Sequence, residues 1–424
     1  MKEIKLSFDI NLALKQFDVH WIEEQLLHLR EEVFLDMLRK ILCEIEAIAV
    51  ERHSQCEVCG EMVVRNGHEF KQIRTLVGAL RYGRIRLRCK RCGEEIYPLD
   101  KAIGLEARDG MTLGVRERAL WAAVEVSYEK THQFLAKFTG LEVSRKKIHN
   151  LAWEEGERIT AWQENRREAV FGKGKSLSEE AREGPEVLYV QVDGTAVNDR
   201  ASGEWMECRV GTSFSQRVNI SKGRVWLRDK KTYASVEKAD SFGEKFYIEC
   251  LKQGVENAGK VYFISDGALW IKKLKEDYFP QAVGVLDIWH LERELKKALG
   301  EEKKEKVEEL KLLALQGNAE EIVKRLMKEV PAADIVKAEK IFQAAEYVTN
   351  NVEWIGNIPK VKGYGSGPVE KTVDITVSRR FKKRGMSWYR HGVNPLLQMR
   401  LLKLNGEWDI YWDQRKKEGA RYAT

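Results

Sequence analysis

The sequence predicts a multidomain α+β protein, and three observations carry that prediction. The chain has 424 residues, too many for one ordinary hydrophobic core, so roughly two to four domains are expected. Apolar residues recur at three- and four-residue steps up to residue 52 and again over 112–160, then give way to short β-type runs from Glu186. Two C-x-x-C pairs mark a small module between these regions. A hydrophobic content of 43% with 33% charged residues describes a soluble globular protein. No apolar run approaches the roughly 18 residues that a membrane span needs. Met1 to Asp9 places acids where a signal peptide would have its apolar core. A cytoplasmic protein with no membrane partner is expected.

Residues 1–52 read as helical, chiefly Trp21 to Arg52, with Leu26, Leu27, Leu29, Val33, Phe34, Met37, Leu38 and Ile41 on the apolar stripe. The stripe packs on its own protein or serves as a dimerisation helix. Residues 53–100 carry Cys56, Cys59, Cys89 and Cys92. Thiolates two apart sit on one tight knuckle, and two knuckles complete a tetrahedral Zn²⁺ shell with no open position, hence a structural site. Gly60 and Gly93 follow the pairs and ease each turn. Disulfides are disfavoured in the cytosol, and a redox C-x-x-C does not require two matched pairs. Lys71 to Leu87 fills the interval as a β-hairpin, where Arg84, Arg86 and Arg88 alternate with Ile85 and Leu87 and so share a face.

Three helices are expected over 112–160. Ser127 caps the second, whose inner face carries Phe134, Leu135 and Phe138. A turn at Thr139–Val143 follows, and Ser144 caps a third helix opening with Arg145, Lys146 and Lys147. A short helix, a turn containing Gly and a helix with a basic start match a helix-turn-helix, which presents those side chains to the major groove; an ordinary three-helix bundle gives the same pattern. Residues 161–185 are polar and read as a linker.

From Glu186 strands alternate with helices, the pattern of an α/β core. Strands are expected at 187–192, 204–213, 223–229, 261–265 and 282–286, and helices at about 242–257, 268–276 and 291–299. Residues 300–357 are Lys/Glu-rich and helical, broken at Gly317 and Pro331, and read as amphipathic hairpins inserted into the core. Residues 358–424 complete it. The net charge of +7 is modest, but Ser378 to Arg384 and Leu80 to Arg91 contain no acid. Arg379, Arg380, Lys382, Lys383 and Arg384 are placed to neutralise DNA phosphates. Trp388 and Tyr389 pack in the core or stack on a base.

Three carboxylates hold the chemistry. Asp193 and Asp266 each end a short apolar strand and precede Gly, and Glu370 opens a helix after Gly363, Gly365, Ser366 and Gly367. An RNase H-like sheet puts its first strand at the centre and its fourth beside it, which brings Asp193 and Asp266 to one edge, with Glu370 supplied by a packing helix. Ser366 and the glycines allow DNA backbone to approach closely. Mg²⁺, or Mn²⁺, takes oxygen ligands from two or three such carboxylates. Two ions about 3.5–4 Å apart clamp the attacking and leaving oxygens of a phosphodiester.

The chain resembles the DDE transposases of bacterial insertion sequences, in particular the ISLre-type group, and more distantly the Mutator-like enzymes. The resemblance rests on the paired cysteines with the Arg-rich stretch, Tyr97-Pro-Leu-Asp100, Val192-Asp-Gly-Thr195, Ser265-Asp-Gly-Ala268, Asp287-Ile-Trp-His290 and Gly365-Ser-Gly-Pro-Val-Glu370. It implies that Asp193, Asp266 and Glu370 are the metal-binding catalytic triad and that 300–357 is the superfamily's insertion domain. Asp287 stands where Mutator-like enzymes have Cys, and His290 keeps their His; both are expected in the shell of the site. The implied activity is metal-dependent cleavage and strand transfer on double-stranded DNA, at element ends and target, by a nucleoid-associated homodimer or larger oligomer. A non-catalytic DNA-binding regulator and a nuclease without strand transfer are the alternatives.

Overall fold

The structure is a computed structural model that describes residues 4, 5, 7, 10, 15, 16, 18–105, 110–174, 183–222, 224–361 and 367–421. It is a mixed α+β, multidomain architecture. The chain divides into two compact units, Met1–Leu151 with Trp408–Thr424, and Ala152–Glu407. Among the described residues no helix is long and apolar enough to cross a membrane.

The first unit begins with α1 (Val19–Arg52), capped where Asp18 Oδ1 accepts the Trp21 N–H at 2.9 Å. Its C-terminal half supplies the packing. Leu42 is buried with Ile73, Leu80, Tyr82 and Leu99, and Leu35, Leu38 and Ile45 cover them. Leu26, Leu27 and Phe34, expected on the apolar stripe, are exposed. β1 (Val63–Thr75) and β2 (Gly78–Cys89) form the expected hairpin, longer than anticipated, and β3 (Glu95–Ile96) adds to β2.

Arg84 corrects the expectation of an arginine row open to DNA. Leu80 and Tyr82 face one core cluster, whereas Ile85 and Leu87 belong to another, so β2 is covered on both faces. Arg84 shares the Leu80–Tyr82 face and is buried. There Asp100, on α2 (Pro98–Ala102), accepts from Arg84, from Lys71 Nζ at 3.0 Å and from Tyr82 Oη at 2.9 Å. Arg86 is half-buried, with Nε donating to Asn66 O at 3.1 Å, and only Arg88 of the three is exposed.

Helices α3 (Leu113–Ala123), α4 (Tyr128–Thr139) and α5 (Arg145–Arg167) follow. Ser127 and Ser144 accept from Lys130 and Lys147 N–H as caps, and Gly140 takes φ +68° to end α4. Leu135 is buried, but Phe134 and Phe138 are exposed rather than internal. α5 does not stop near 160. It runs to Arg167 and passes into a π-turn at Glu168–Gly172, so the expected linker is helical over 161–172; residues 175–182 lie outside the described ones. The C-terminal helix α16 (Trp408–Arg421) belongs to this unit. Trp408 meets Trp121 edge to face at 5.4 Å, and Lys416 Nζ pairs with Glu117 at 2.9 Å.

The second unit is built on β4 (Val187–Asn198), β5 (Trp205–Phe214), β8 (Lys231–Ser235), β9 (Lys260–Ser265) and β10 (Val283–Leu286), with a separate hairpin of β6 (Gln216–Ser221) and β7 (Arg224–Arg228). The sheet order is β10-β9-β4-β5-β8. β4 is parallel to β9 and β9 to β10, while β5 is antiparallel to β4 and β8. α6 (Ala239–Leu251), α7 (Leu269–Tyr278) and α8 (Ile288–Leu299) alternate with the later strands, and Phe242, Phe246, Phe263 and Phe279 form a buried aromatic core. Gly211 on β5 is required there, since a Cβ would lie 2.7 Å from the Phe246 ring.

The stretch expected to be helical becomes α9 (Lys304–Leu315), α10 (Ala319–Met327), α11 (Ile335–Asn350) and α12 (Val352–Gly356), broken at Gly317 and at a 3₁₀ turn holding Pro331. Then come α13 (Gly367–Val373), the three-residue α14 (Arg379–Phe381) and the buried α15 (Arg390–Leu404).

Candidate functional site

The strand register sets the site. On the parallel pair β4–β9, Gln191 lies opposite Ile264, so Asp193 and Asp266 each fall two residues further on. On β9–β10, Ser265 lies opposite Leu286, so Asp266 and Asp287 are each the next residue, and the Asp287 N–H donates to Ser265 O at 2.8 Å. Three aspartates therefore stand at one level on adjacent strands, whose spacing is about 4.8 Å.

Glu370 arrives on α13. The Val369 N–H donates to Gln191 Oε1 at 2.9 Å, and Gln191 is fully buried, so the helix start is pinned to β4 two residues before Asp193. The preceding residues 363–366, including Gly363, Gly365 and Ser366, lie outside the described residues. Asp193 Oδ1 accepts from Gly194 N–H at 2.7 Å, and Asp266 Oδ1 from Ala268 N–H at 3.0 Å. Gly267 needs φ +76°, and a Cβ there would fall 2.3 Å from Asn351 Oδ1.

The electrostatics tie these groups together. Burial pushes the Asp193 carboxyl above its ordinary range; the Gly194 N–H and His290 oppose the shift, and the charges of Asp266 and Glu370 add to it. Asp287 is completely buried. Its Oδ2 accepts the His290 backbone N–H at 3.0 Å, capping α8, and holds His290 Nδ1 at 2.6 Å. That hydrogen bond raises the His290 pKa against the effect of burial, and Asp266 contributes in the same direction. The carboxylates of Asp193, Asp266 and Glu370 do not close to 4.8 Å; among the described residues only the four cysteines do so as a set of three or more such ligands. The carboxylates of Asp193, Asp266 and Glu370 offer oxygen donors, the ligand type that hard divalent cations take.

The cysteine cluster is the tighter centre. Cys56 Sγ lies 3.6 Å from Cys92 Sγ, and Cys59 Sγ 3.5 Å from Cys89 Sγ. The two knuckles match: Gly60 N–H donates to Cys56 O and Gly93 N–H to Cys89 O, at φ +73° and +78°. Backbone N–H groups of Cys92 and Arg91 draw the Cys89 thiol down to about 6. The cluster is able to hold a metal ion and is compatible with structural zinc.

The remaining expected residues scatter. Arg145 and Lys146 are exposed and Lys147 half-buried at the start of α5. Lys382, Lys383 and Arg384 are exposed, and Lys382 Nζ donates to Thr195 Oγ1, two residues beyond Asp193. Arg379 is bound by Asp374 at 3.0 Å. Arg380 corrects the expectation of a phosphate contact: it is buried, with its guanidinium 5.0 Å over the Trp388 ring. Trp388 packs against Phe381, whereas Tyr389 is exposed.

Sequence reasoning missed Gln191, whose amide reads as ordinary strand polarity. It also missed Tyr347 on α11, whose hydroxyl donates to Asp266 O at 2.7 Å.

The sequence profile of UPF0236, described as an uncharacterised protein family, matches residues 12–417. The chain is 24% identical to the UPF0236 protein TTE2489 of Caldanaerobacter subterraneus subsp. tengcongensis, over 97% of this chain and 84% of that protein. A second UPF0236 protein of the same organism, whose name carries eleven locus designations, is 25% identical over 82% of this chain and 71% of its own length. The "UPF0236 protein in vanSb 3'region" of Streptococcus gallolyticus is 28% identical over 45% of this chain and 38% of its own. The chain belongs to the UPF0236 family.

Proposed function

We propose that this protein is a DDE-type DNA transposase with an RNase H-like core. The observation that carries the reading is the strand register that aligns Asp193, Asp266 and Asp287, with Glu370 pinned beside them through Val369 and Gln191. The first strand of the core, β4, is central and the parallel β9 is its neighbour, as such a sheet requires. The eleven loci named for one relative add support, because a gene copied to many places is what a self-mobilising element leaves behind.

Asp193, Asp266 and Glu370 would hold Mg²⁺, which when bound supplies charge stabilisation for the attacking and leaving oxygens of a phosphodiester. The chain's own residues set the geometry. Asp287 fixes the His290 ring through Nδ1, so the ring cannot turn away from the acids. Lys382 Nζ donates to Thr195 Oγ1, two residues along β4 from Asp193, and supplies a cation that would neutralise DNA phosphate. Water attacks the phosphodiester at the element end and leaves a 5′-phosphate and a free 3′-hydroxyl; that hydroxyl then attacks a target phosphodiester, forming the joined strand and releasing a 3′-hydroxyl of the target.

The test is Mg²⁺-dependent nicking and joining of a duplex taken from the DNA flanking the gene. The wild-type chain is expected to nick and join it, and Asp193→Asn and Glu370→Gln to lose activity by at least about a thousandfold. Wild type no more active than Asp193→Asn would leave a DNA-binding regulator.

A further inference from the structure

We propose that the β6–β7 hairpin is a second DNA-contacting element, a β-ribbon that grips duplex phosphates away from the carboxylates. The inference rests on the reading of the chain as a DNA-binding enzyme and adds a contact that the motifs do not contain. The two strands form a sheet of their own, outside the five-stranded one. Residues 216–228 carry Arg217, Lys222, Arg224 and Arg228 and no acid. Lys222 and Arg228 are exposed, and among the described residues neither enters an ion pair.

The register fixes the faces. Gln216 lies opposite Arg228 and Val218 opposite Trp226, so Trp226 and Arg228 share one face of the ribbon. Trp226 is 53% exposed and Ile220 55%, although both are large and apolar. A hairpin held only for its own stability would turn such side chains inward. Exposed cations interleaved with an exposed aromatic, without acids, complement a polyanion with stackable or groove-lining apolar surface. A two-stranded ribbon also has the width of the major groove, which favours duplex DNA over an acidic protein surface.

The hairpin leaves the sheet after Phe214, which pairs with Tyr189, four residues before Asp193 on β4. Its base is therefore about 13 Å along the strand from the acid row. A duplex reaching both would be held at a flank by the ribbon and cut at the carboxylates.

The experiment measures binding of the full-length chain to a short labelled duplex by fluorescence anisotropy over a salt series. The variants are Lys222→Gln with Arg228→Gln, and separately Trp226→Ala, each compared with the wild type. The double variant is expected to weaken binding about tenfold or more near physiological salt. It should also lower the slope of log Kd against log salt by about two, one per lost phosphate contact. Trp226→Ala is expected to raise Kd several-fold with the slope unchanged. Unchanged melting in all variants separates lost contact from lost folding.

Wild-type affinity and slope in the double variant would overturn the inference, whether or not sedimentation showed it to be a self-association surface. If the wild type fails to nick DNA but the hairpin variants still lose duplex affinity, the ribbon stands and the transposase reading falls. If nicking is intact and affinity unmoved, the ribbon alone falls.

Discussion

At the residue scale, the acid row costs stability. Asp193 is half-buried near other acids, and its carboxyl is held above its ordinary range. The folded chain therefore binds a proton there more tightly than the unfolded chain. Stability from this site is highest at low pH and is lost as pH rises from the unfolded carboxylate value through the folded one. Asp193→Asn removes that penalty, so it should melt higher than wild type at pH 7 while losing activity. Mg²⁺ should raise the melting temperature of the wild type and not of the variant, which thermal scans with and without the ion would show. His290 has a linkage of the same sign. Its pKa is raised by Asp287, so its contribution is full below the ordinary histidine value and is lost as pH rises through the folded value. Asp287→Ala strips both the cap of α8 and the His290 partner, and should cost about 1–3 kcal/mol in urea unfolding. In the first unit, Asp100→Ala would leave Lys71 and Arg84 buried without their shared carboxylate and should cost about 3–5 kcal/mol.

Elements were legible where a local pattern decided them. The strand before Asp266 stops at Ser265 as expected, but Asp193 does not end its strand: β4 runs on to Asn198, with Asp193 and Gly194 paired to Val210 and Arg209 of β5, because the antiparallel partner carries the ladder past the Asp-Gly pair. The two cysteine knuckles were equally plain, and their convergence needed only spacing. We expect about one zinc per chain by elemental analysis. Chelation should melt the β1–β2 module cooperatively, seen as faster amide exchange over 56–96, and stoichiometric zinc should restore it. What failed was anything settled by tertiary burial. Arg84 and Arg380 look like surface cations in sequence, yet one binds a buried aspartate and the other lies over Trp388. Phe134 and Phe138 look internal on the helical period, yet of the three expected on the inner face only Leu135 is buried. β6 and β8 were not anticipated, since Gln216-Arg-Val-Asn and Lys231-Thr-Tyr-Ala lack the apolar run that marks a core strand. α5 was cut short because its end, Glu164-Asn-Arg-Arg167, is polar enough to pass for a linker.

At the scale of the molecule, the units are not consecutive in sequence. The second is complete within Ala152–Glu407, whereas the first takes residues from both sides of it. Trp412 is 1% exposed, and its neighbour Trp408 stands on Trp121. Trp412→Ala should therefore weaken the first unit by about 3–5 kcal/mol. Two-probe denaturation would then separate into two transitions, with the sheet of the second unit melting as in wild type. The same arrangement dictates an order of events during synthesis. The ribosome releases the helices around Trp121 before the acid-bearing sheet, and the tryptophans that pack with them only after it. A message broken between the sheet and Trp408 would yield a polypeptide whose leading portion lacks its tryptophan cover and is open to proteases.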